Sequence, residues 1–306
     1  MARARQITGP YETHPAKHVI TARFAPSNPI QRMGHGQYVE GHDGRHWHSF
    51  LCGRPQRGED GKPFCATGRE TGLAEVEWRD DWLWLKSGGM VADTDLPLTA
   101  EVAPSVAVRH DFRGDSLPLE FQWLRSPYPE RLFRMTGNGL RLIGRESLGS
   151  WQEQSLVARR QEEAAYWAEA VFDAEPPSWQ QAIGLTTYYN RHKFHAALIT
   201  SEGGRRVVSL VSCLGDWQRE QLTFHGQFPL PEGSVRLSVD VDGPRQQFFA
   251  NGQTVGPVLD ASLISDEGGK GEHASFTGAF VGMVAYDMTG QGWSGDVTAF
   301  EYRNKI

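Results

Sequence analysis

The 306-residue chain carries 31 Lys+Arg against 37 Asp+Glu, a net charge of −6, with no basic block of the kind that a nucleic-acid or anionic-membrane partner requires. No window approaches the roughly 18 consecutive apolar residues of a transmembrane helix, and the opening MARARQITGPYETH lacks the apolar stretch of a signal peptide. The expectation is a cytoplasmic protein with neither a nucleic-acid nor a membrane partner, long enough for two domains with separate cores.

In chain order, strand signals dominate. GHGQYVEG, RHWHSFLCG and TGLAEVEWRDDWLWL read as one meander, with His42-Asp43-Gly44 marking a hairpin turn between the first two runs. The stretch SGGMVADTDLPLTAEVAPS, rich in Gly, Pro and small polar residues, matches a linker. It places a boundary near residue 105, giving regions 1–105 and 106–306. Beyond it, QSLVARRQ, AIGLTTYYN, KFHAALITS, RRVVSLVSCL, GAFVGMVAYD and DVTAFEYR recur as short apolar or alternating runs. In SVRLSVDVDG, Val235, Leu237, Val239 and Val241 share one face, and Asp242-Gly243 starts a turn. ARRQEEAAYWAEAVF contains good helix formers, yet Tyr166, Ala168, Ala170 and Phe172 alternate, and a strand is expected. Such a series reads as a two-sheet antiparallel sandwich. The first region is the odd one, because a small sheet alone leaves a face uncovered.

Several long motifs carry a resemblance. ITGPYETHP, GHGQYVEGHDGRHWHSFLCGRP and CATGRETGLAEVEWRDD are similar to the last part of the catalytic propeller of glycoside hydrolase family 43 β-xylosidases. DFRGDSLPLEFQWLRSP, GRESLGSWQEQSLVARRQ and ASFTGAFVGMVAYDMTG resemble the sandwich that follows it. The resemblance implies an all-β chain: the end of a five-bladed β-propeller followed by a concanavalin A-like antiparallel β-sandwich. It implies an inverting β-xylosidase acting on xylo-oligosaccharides, with α-L-arabinofuranosidase side activity open. The family's three catalytic carboxylates lie on blades upstream of the matched region. The expectation is therefore a C-terminal fragment, an internal start or a split subunit, inactive without its N-terminal propeller portion. The rival reading is a non-catalytic carbohydrate-binding or assembly module; a homo-oligomer is left open.

Inverting hydrolysis needs a carboxylic acid and a carboxylate base about 6.5–9.5 Å apart. Glu40, Asp43, Glu70, Glu75 and Glu77 are the candidates for an internal pair, and their strand or turn contexts favour solvated faces. By resemblance His35, in GHGQ, matches the histidine near the propeller axis, where the family holds a metal ion or water. Arg69, in GRET, resembles the arginine that reaches the terminal sugar, a task that suits the fixed donors of a guanidinium. Phe276 and Phe280 are the candidates for the sandwich-borne phenylalanine that closes the pocket over a short xyloside. No cofactor is required; Asp111 and Asp296 are the candidates for a structural Ca²⁺, with paired turn caps the alternative. His42, His46 and His48 read as surface or core histidines rather than zinc ligands. Cys52, Cys65 and Cys213 form an odd, sparse set that argues against a disulfide framework and reads as free thiols.

Overall fold

The structure, a computed structural model, describes residues 1–96, 107–215, 222–268 and 277–305. Strand β1 (Ala2–Arg3) pairs with β2 (Glu12–Thr13), and β3 (Gln31–Glu40) with β4 (His46–Gly53). The short hairpin β5 (Gln56–Arg57) and β6 (Pro63–Phe64) comes next, followed by β7 (Glu70–Arg79) and β8 (Trp82–Leu85). Then come β9 (Val108–His110), β10 (Phe121–Trp123), β11 (Phe133–Met135), β12 (Leu140–Ile143), β13 (Ser155–Arg160), β14 (Ala165–Asp173) and β15 (Gln181–Asn190). The remaining strands are β16 (Lys193–Glu202), β17 (Arg205–Leu214), β18 (Leu222–Pro229), β19 (Val235–Asp242), β20 (Arg245–Ala250), β21 (Gln253–Asp260), β22 (Phe280–Asp287) and β23 (Ser294–Asn304). Two 3₁₀ turns, Pro129–Arg131 and Ala261–Leu263, are the helical elements among the described residues. None is long and apolar enough to cross a membrane.

The chain divides into two compact units. One comprises Met1–Pro55 and Arg69–Ala103, the other Gln56–Gly68 and Pro104–Ile306. In the first, β3, β4, β7 and β8 form one four-stranded antiparallel sheet in that order, the meander expected from the sequence. Gly44, with φ +74°, supplies the left-handed residue that its first hairpin needs. Phe50, Ala74, Val76, Leu83 and Leu85 turn one face of this sheet onto a small core with Ile20, Ala22 and Met33. His14 closes one side: its Nε2 lies 3.0 Å from the Leu83 carbonyl, and its ring packs on Trp82 and Trp84.

The second unit is the two-sheet sandwich. Its seven-stranded sheet runs β10-β13-β22-β15-β16-β17-β18. The facing sheet runs β11-β12-β23-β14-β19-β20-β21, with β9 also paired to β23. Period-2 alternation explains the packing. Tyr166, Ala168, Ala170 and Phe172 of β14 and Val235, Leu237, Val239 and Val241 of β19 meet Ile183, Leu185, Val208 and Leu210 from the opposite sheet. The helix-friendly stretch is thus a strand, because its alternating face fits the sandwich core and tertiary burial overrides propensity.

A single cut near residue 105 misses one feature, the segment 56–68, which belongs to the sandwich unit. The Cys65 amide donates to Glu267 Oε2 at 2.7 Å, and the Asp266 amide to the Cys65 carbonyl at 3.2 Å. The Ala279 amide donates to the Ala66 carbonyl at 2.7 Å, and Arg245 pairs with Glu59 at 2.7 Å. Gly68 and Gly278 complete the junction, with φ of +70° and +83°. A Cβ on Gly68 would stand 2.2 Å from the Gly278 nitrogen, and one on Gly278 would stand 2.5 Å from the Thr67 carbonyl oxygen, so neither position admits a side chain.

Candidate functional site

In the first unit the site residues sit at irregularities of the sheet. The β3–β4 register shifts twice between Gln31 and Gln37, so the Gly34-His35-Gly36 segment bulges. A bulge re-aims a side chain. His35 adopts φ +50° and is exposed. Gly36 permits this: a Cβ there would lie 2.0 Å from the Ser49 carbonyl oxygen and 2.4 Å from the His48 ring. His35 is therefore displayed by its backbone rather than packed into the core. Arg69 opens the return into β7 and is half-buried. The neighbouring Glu70 is held by Arg54, whose Nη2 lies 2.7 Å and Nε 3.0 Å from its oxygens.

The other acidic candidates of this unit are also engaged. Asp43 pairs with Arg45 at 2.6 Å, and these hydrogen bonds hold its carboxyl below the usual carboxylate range. Glu75 pairs with Lys86 at 2.6 Å and Glu77 with Arg79 at 3.1 Å, while Glu40 is exposed. A general acid needs a raised pKa. Among the described residues the carboxyl so shifted is Glu169, raised by burial, but it lies on β14 with Arg236 at 3.1 Å.

Of the three histidines expected to be surface or core residues, two have hydrogen-bond partners. His46 Nδ1 lies 2.7 Å from the Tyr38 hydroxyl, His48 Nδ1 lies 3.1 Å from the Gln37 carbonyl, and His42 is exposed. All three cysteines are free and buried. Burial and the neighbouring Glu70 raise the Cys52 thiol.

In the second unit Phe280 begins β22, half-buried. Val281, Met283 and Ala285 of that strand enter the sandwich core, so Phe280 takes the other face and packs with Tyr286 and Leu124 against an outer apolar cluster. The Arg160 guanidinium lies over its ring at 5.2 Å and donates to the Thr277 carbonyl. Phe280 is thus no core residue; Phe276 lies outside the described residues.

Tyr189, which the sequence reading did not single out, organises this end of the sandwich. Its hydroxyl donates to Asp266 Oδ1 at 2.5 Å and accepts from the Thr277 amide at 3.0 Å. One phenol thereby fixes described residues on both sides of 269–276. Burial and the adjacent Asp266 raise its pKa, keeping it a donor. Lys193 lies over the Tyr189 ring at 4.7 Å and donates to the Ser265 carbonyl at 3.0 Å. A buried polar residue beside an apolar run was the signal available in YYNRHKF.

Asp111 and Asp296, the candidates for a structural Ca²⁺, each have a protein partner. Both oxygens of Asp296 accept from Arg141, with Nε–Oδ1 at 2.7 Å, and Asp111 accepts from the Arg113 amide at 3.2 Å. β9 meets β23 at His110–Phe300, four residues along β23 from Asp296, or about 13 Å of strand. Among the described residues no group of three or more His, Cys, Asp or Glu could hold a metal, at His35 or elsewhere.

Comparison with known proteins follows the same division. Residues 109–303 match the family described as β-xylosidase C-terminal concanavalin A-like domain, and residues 1–83 match glycosyl hydrolases family 43. The xylosidase/arabinosidase 43B of Humicola insolens is 40% identical over 99% of this chain and 58% of its own length. The β-xylosidase of Bacillus subtilis is 32% identical over 100% of this chain and 60% of its own. The crystal structure of xylan β-1,4-xylosidase from Bacillus halodurans C-125 superposes with a TM-score of 0.87 at 32% identity, over 99% of this chain and 59% of that one. The chain spans about three-fifths of the length of these relatives.

Proposed function

Because this chain belongs to glycosyl hydrolase family 43 and carries its β-xylosidase C-terminal concanavalin A-like domain, we propose that it is the substrate-enclosing C-terminal part of an inverting β-xylosidase. The observation that carries this reading is the disposition of its carboxylates. Asp43, Glu70, Glu75 and Glu77 are each neutralised by a basic partner, whereas inverting hydrolysis needs one proton donor and one free base. The acid and base belong to upstream blades. Arg69 offers fixed donors to the hydroxyls of a terminal xylose. Phe276 and Phe280 are the candidates for an apolar wall that stacks on the sugar and excludes water. Tyr189 and Arg160 position the residues between which that wall begins.

The reaction is release of terminal xylose from xylo-oligosaccharides, with arabinofuranosides as a second substrate class; the mixed name of the Humicola insolens relative supports the latter. The test is incubation of the purified chain with 4-nitrophenyl β-D-xyloside. No nitrophenol above an enzyme-free blank is expected, and release by the chain alone overturns the assignment of acid and base to missing blades.

A further inference from the structure

The seven-stranded sheet carries apolar residues on both faces. Its outer face holds Tyr188, Phe194, Leu198 and Val211, packed among themselves rather than against the second sheet. Over this cluster lies a cavity of about 390 Å³, within the range of small-ligand pockets. Along β16, Phe194, Leu198, Thr200 and Glu202 line it in sequence, a run of about 26 Å at strand rise. A groove of that length suits a linear ligand.

Its two kinds of lining define the ligand chemistry. Trp179 and Phe224 line the cavity and are 58% and 67% exposed, so each offers a ring to whatever lies there. The Tyr286 hydroxyl donates to the Trp179 carbonyl at 3.4 Å, tying that loop to the sheet. Between these rings stand Glu202, Ser209 and Gln227, and Ser209 and Gln227 are direct cross-strand neighbours. Among the described residues these three side chains have no hydrogen-bond or ion-pair partner. The charged lining residues are one Arg191 and one Glu202, and Arg191 lies over Trp151 at 4.1 Å and donates to the Gly149 carbonyl at 3.1 Å. A polyanion gains little there. Exposed flat rings beside hydrogen-bonding groups match a ligand with apolar faces and hydroxylated edges.

We propose that this groove is a second, non-catalytic binding site for a linear, neutral pyranose oligosaccharide, with Trp179 and Phe224 as stacking platforms and Glu202, Ser209 and Gln227 as hydroxyl partners. Naming xylan as its source rests on the function proposed above; the groove itself does not. Such a site would hold polymer beside an enzyme that acts at chain ends.

The test is calorimetric titration of the purified chain with xylotetraose and, separately, cellotetraose. Saturable binding of at least one is expected, and preference for xylotetraose accords with the proposed function. Trp179→Ala and Phe224→Ala each weaken binding about tenfold or more, as loss of an aromatic anchor does, with unchanged thermal melting because both side chains are largely exposed. Gln227→Ala weakens it severalfold, and Arg69→Ala leaves it intact. Absence of binding to either sugar overturns the proposal, as does loss of binding in Arg69→Ala with Trp179→Ala unaffected. Conversion of a dimer to a monomer by Trp179→Ala or Phe224→Ala also overturns it, marking the groove as a self-association face.

Discussion

The two units cover their sheets differently. In the sandwich, β15 is buried along its whole length, with one face against the second sheet and the other placing Tyr188 in a cluster with Phe194 and Leu198 of β16. In the first unit, β3 is exposed from Gln37 to Glu40, and Tyr38, Val39 and Trp78 show 40%, 52% and 45% of their surface. Strands of equal length therefore differ in how firmly they are held. Two layers make a self-sufficient core, whereas one four-stranded sheet rests on a small cluster. The first unit also displays His35 from a bulge of β3, with Arg69 at the return into β7.

The largest expected effect sets the two cores against each other. Phe248→Ala, fully buried between the sheets, should cost near the upper end of about 3–5 kcal/mol, and Phe50→Ala, in the smaller core, near the lower end. Denaturant unfolding followed by amide exchange in each unit reads both, and equal costs would break the comparison.

The sandwich should also be the more acid-sensitive unit, although burial lowers the pKa of His14 in the first unit in the same direction. His195 is fully buried, with Nδ1 2.5 Å from Ser212 Oγ and Nε2 3.1 Å from the Asp260 carbonyl, and Ser212 also meets His225 Nε2 at 2.8 Å. Burial lowers the His195 pKa to about 4. Between that value and 6.5 the unfolded chain binds the proton and the folded chain does not. Stability is therefore fully present above about 6.5 and is lost as pH falls toward 4, by about 3 kcal/mol. Burial lowers His225 as well, adding in the same direction. His195→Gln should flatten melting temperature against pH in this window; an unchanged slope would contradict the assignment.

Gly278→Ala forces a side chain into a left-handed residue facing backbone, at about 1–3 kcal/mol of strain or more. Faster exchange of the Ala279 amide, which Ala66 accepts, is the expected readout. The smallest effect is Asp296→Asn, about 1 kcal/mol for a partly exposed forked pair. If the ion pair is the role of Asp296, melting temperature should not respond to Ca²⁺ in either form, and a Ca²⁺-dependent rise abolished by the substitution would support the metal reading instead.

Much of this was legible in the sequence because strand period is local. Alternation at 235–241 and 166–172 gave buried faces, and HDG and DG gave turns. What escaped depends on contacts distant along the chain. The β5–β6 hairpin has two residues per strand and no period, and its place in the sandwich rests on backbone bonds from Cys65 and Ala66 to residues about 200 positions away. Asp296 meets Arg141 across 155 positions, so spacing could not separate an ion pair from a metal ligand. β15 and β16 are buried on both faces although Thr, His and Lys interrupt their apolar residues, and nothing in that pattern marks the groove that the outer face borders.

The most direct test of the central claim mixes this chain with the upstream portion of the Bacillus halodurans xylosidase that it does not cover. Hydrolysis of 4-nitrophenyl β-D-xyloside is followed for each part and for the mixture. The account predicts activity only in the mixture, falling about 100-fold or more in kcat/KM with Arg69→Ala, the scale of losing a charged hydrogen-bond donor to the transition state. Hydrolysis by this chain alone, or a stable but inert mixed complex, would contradict it.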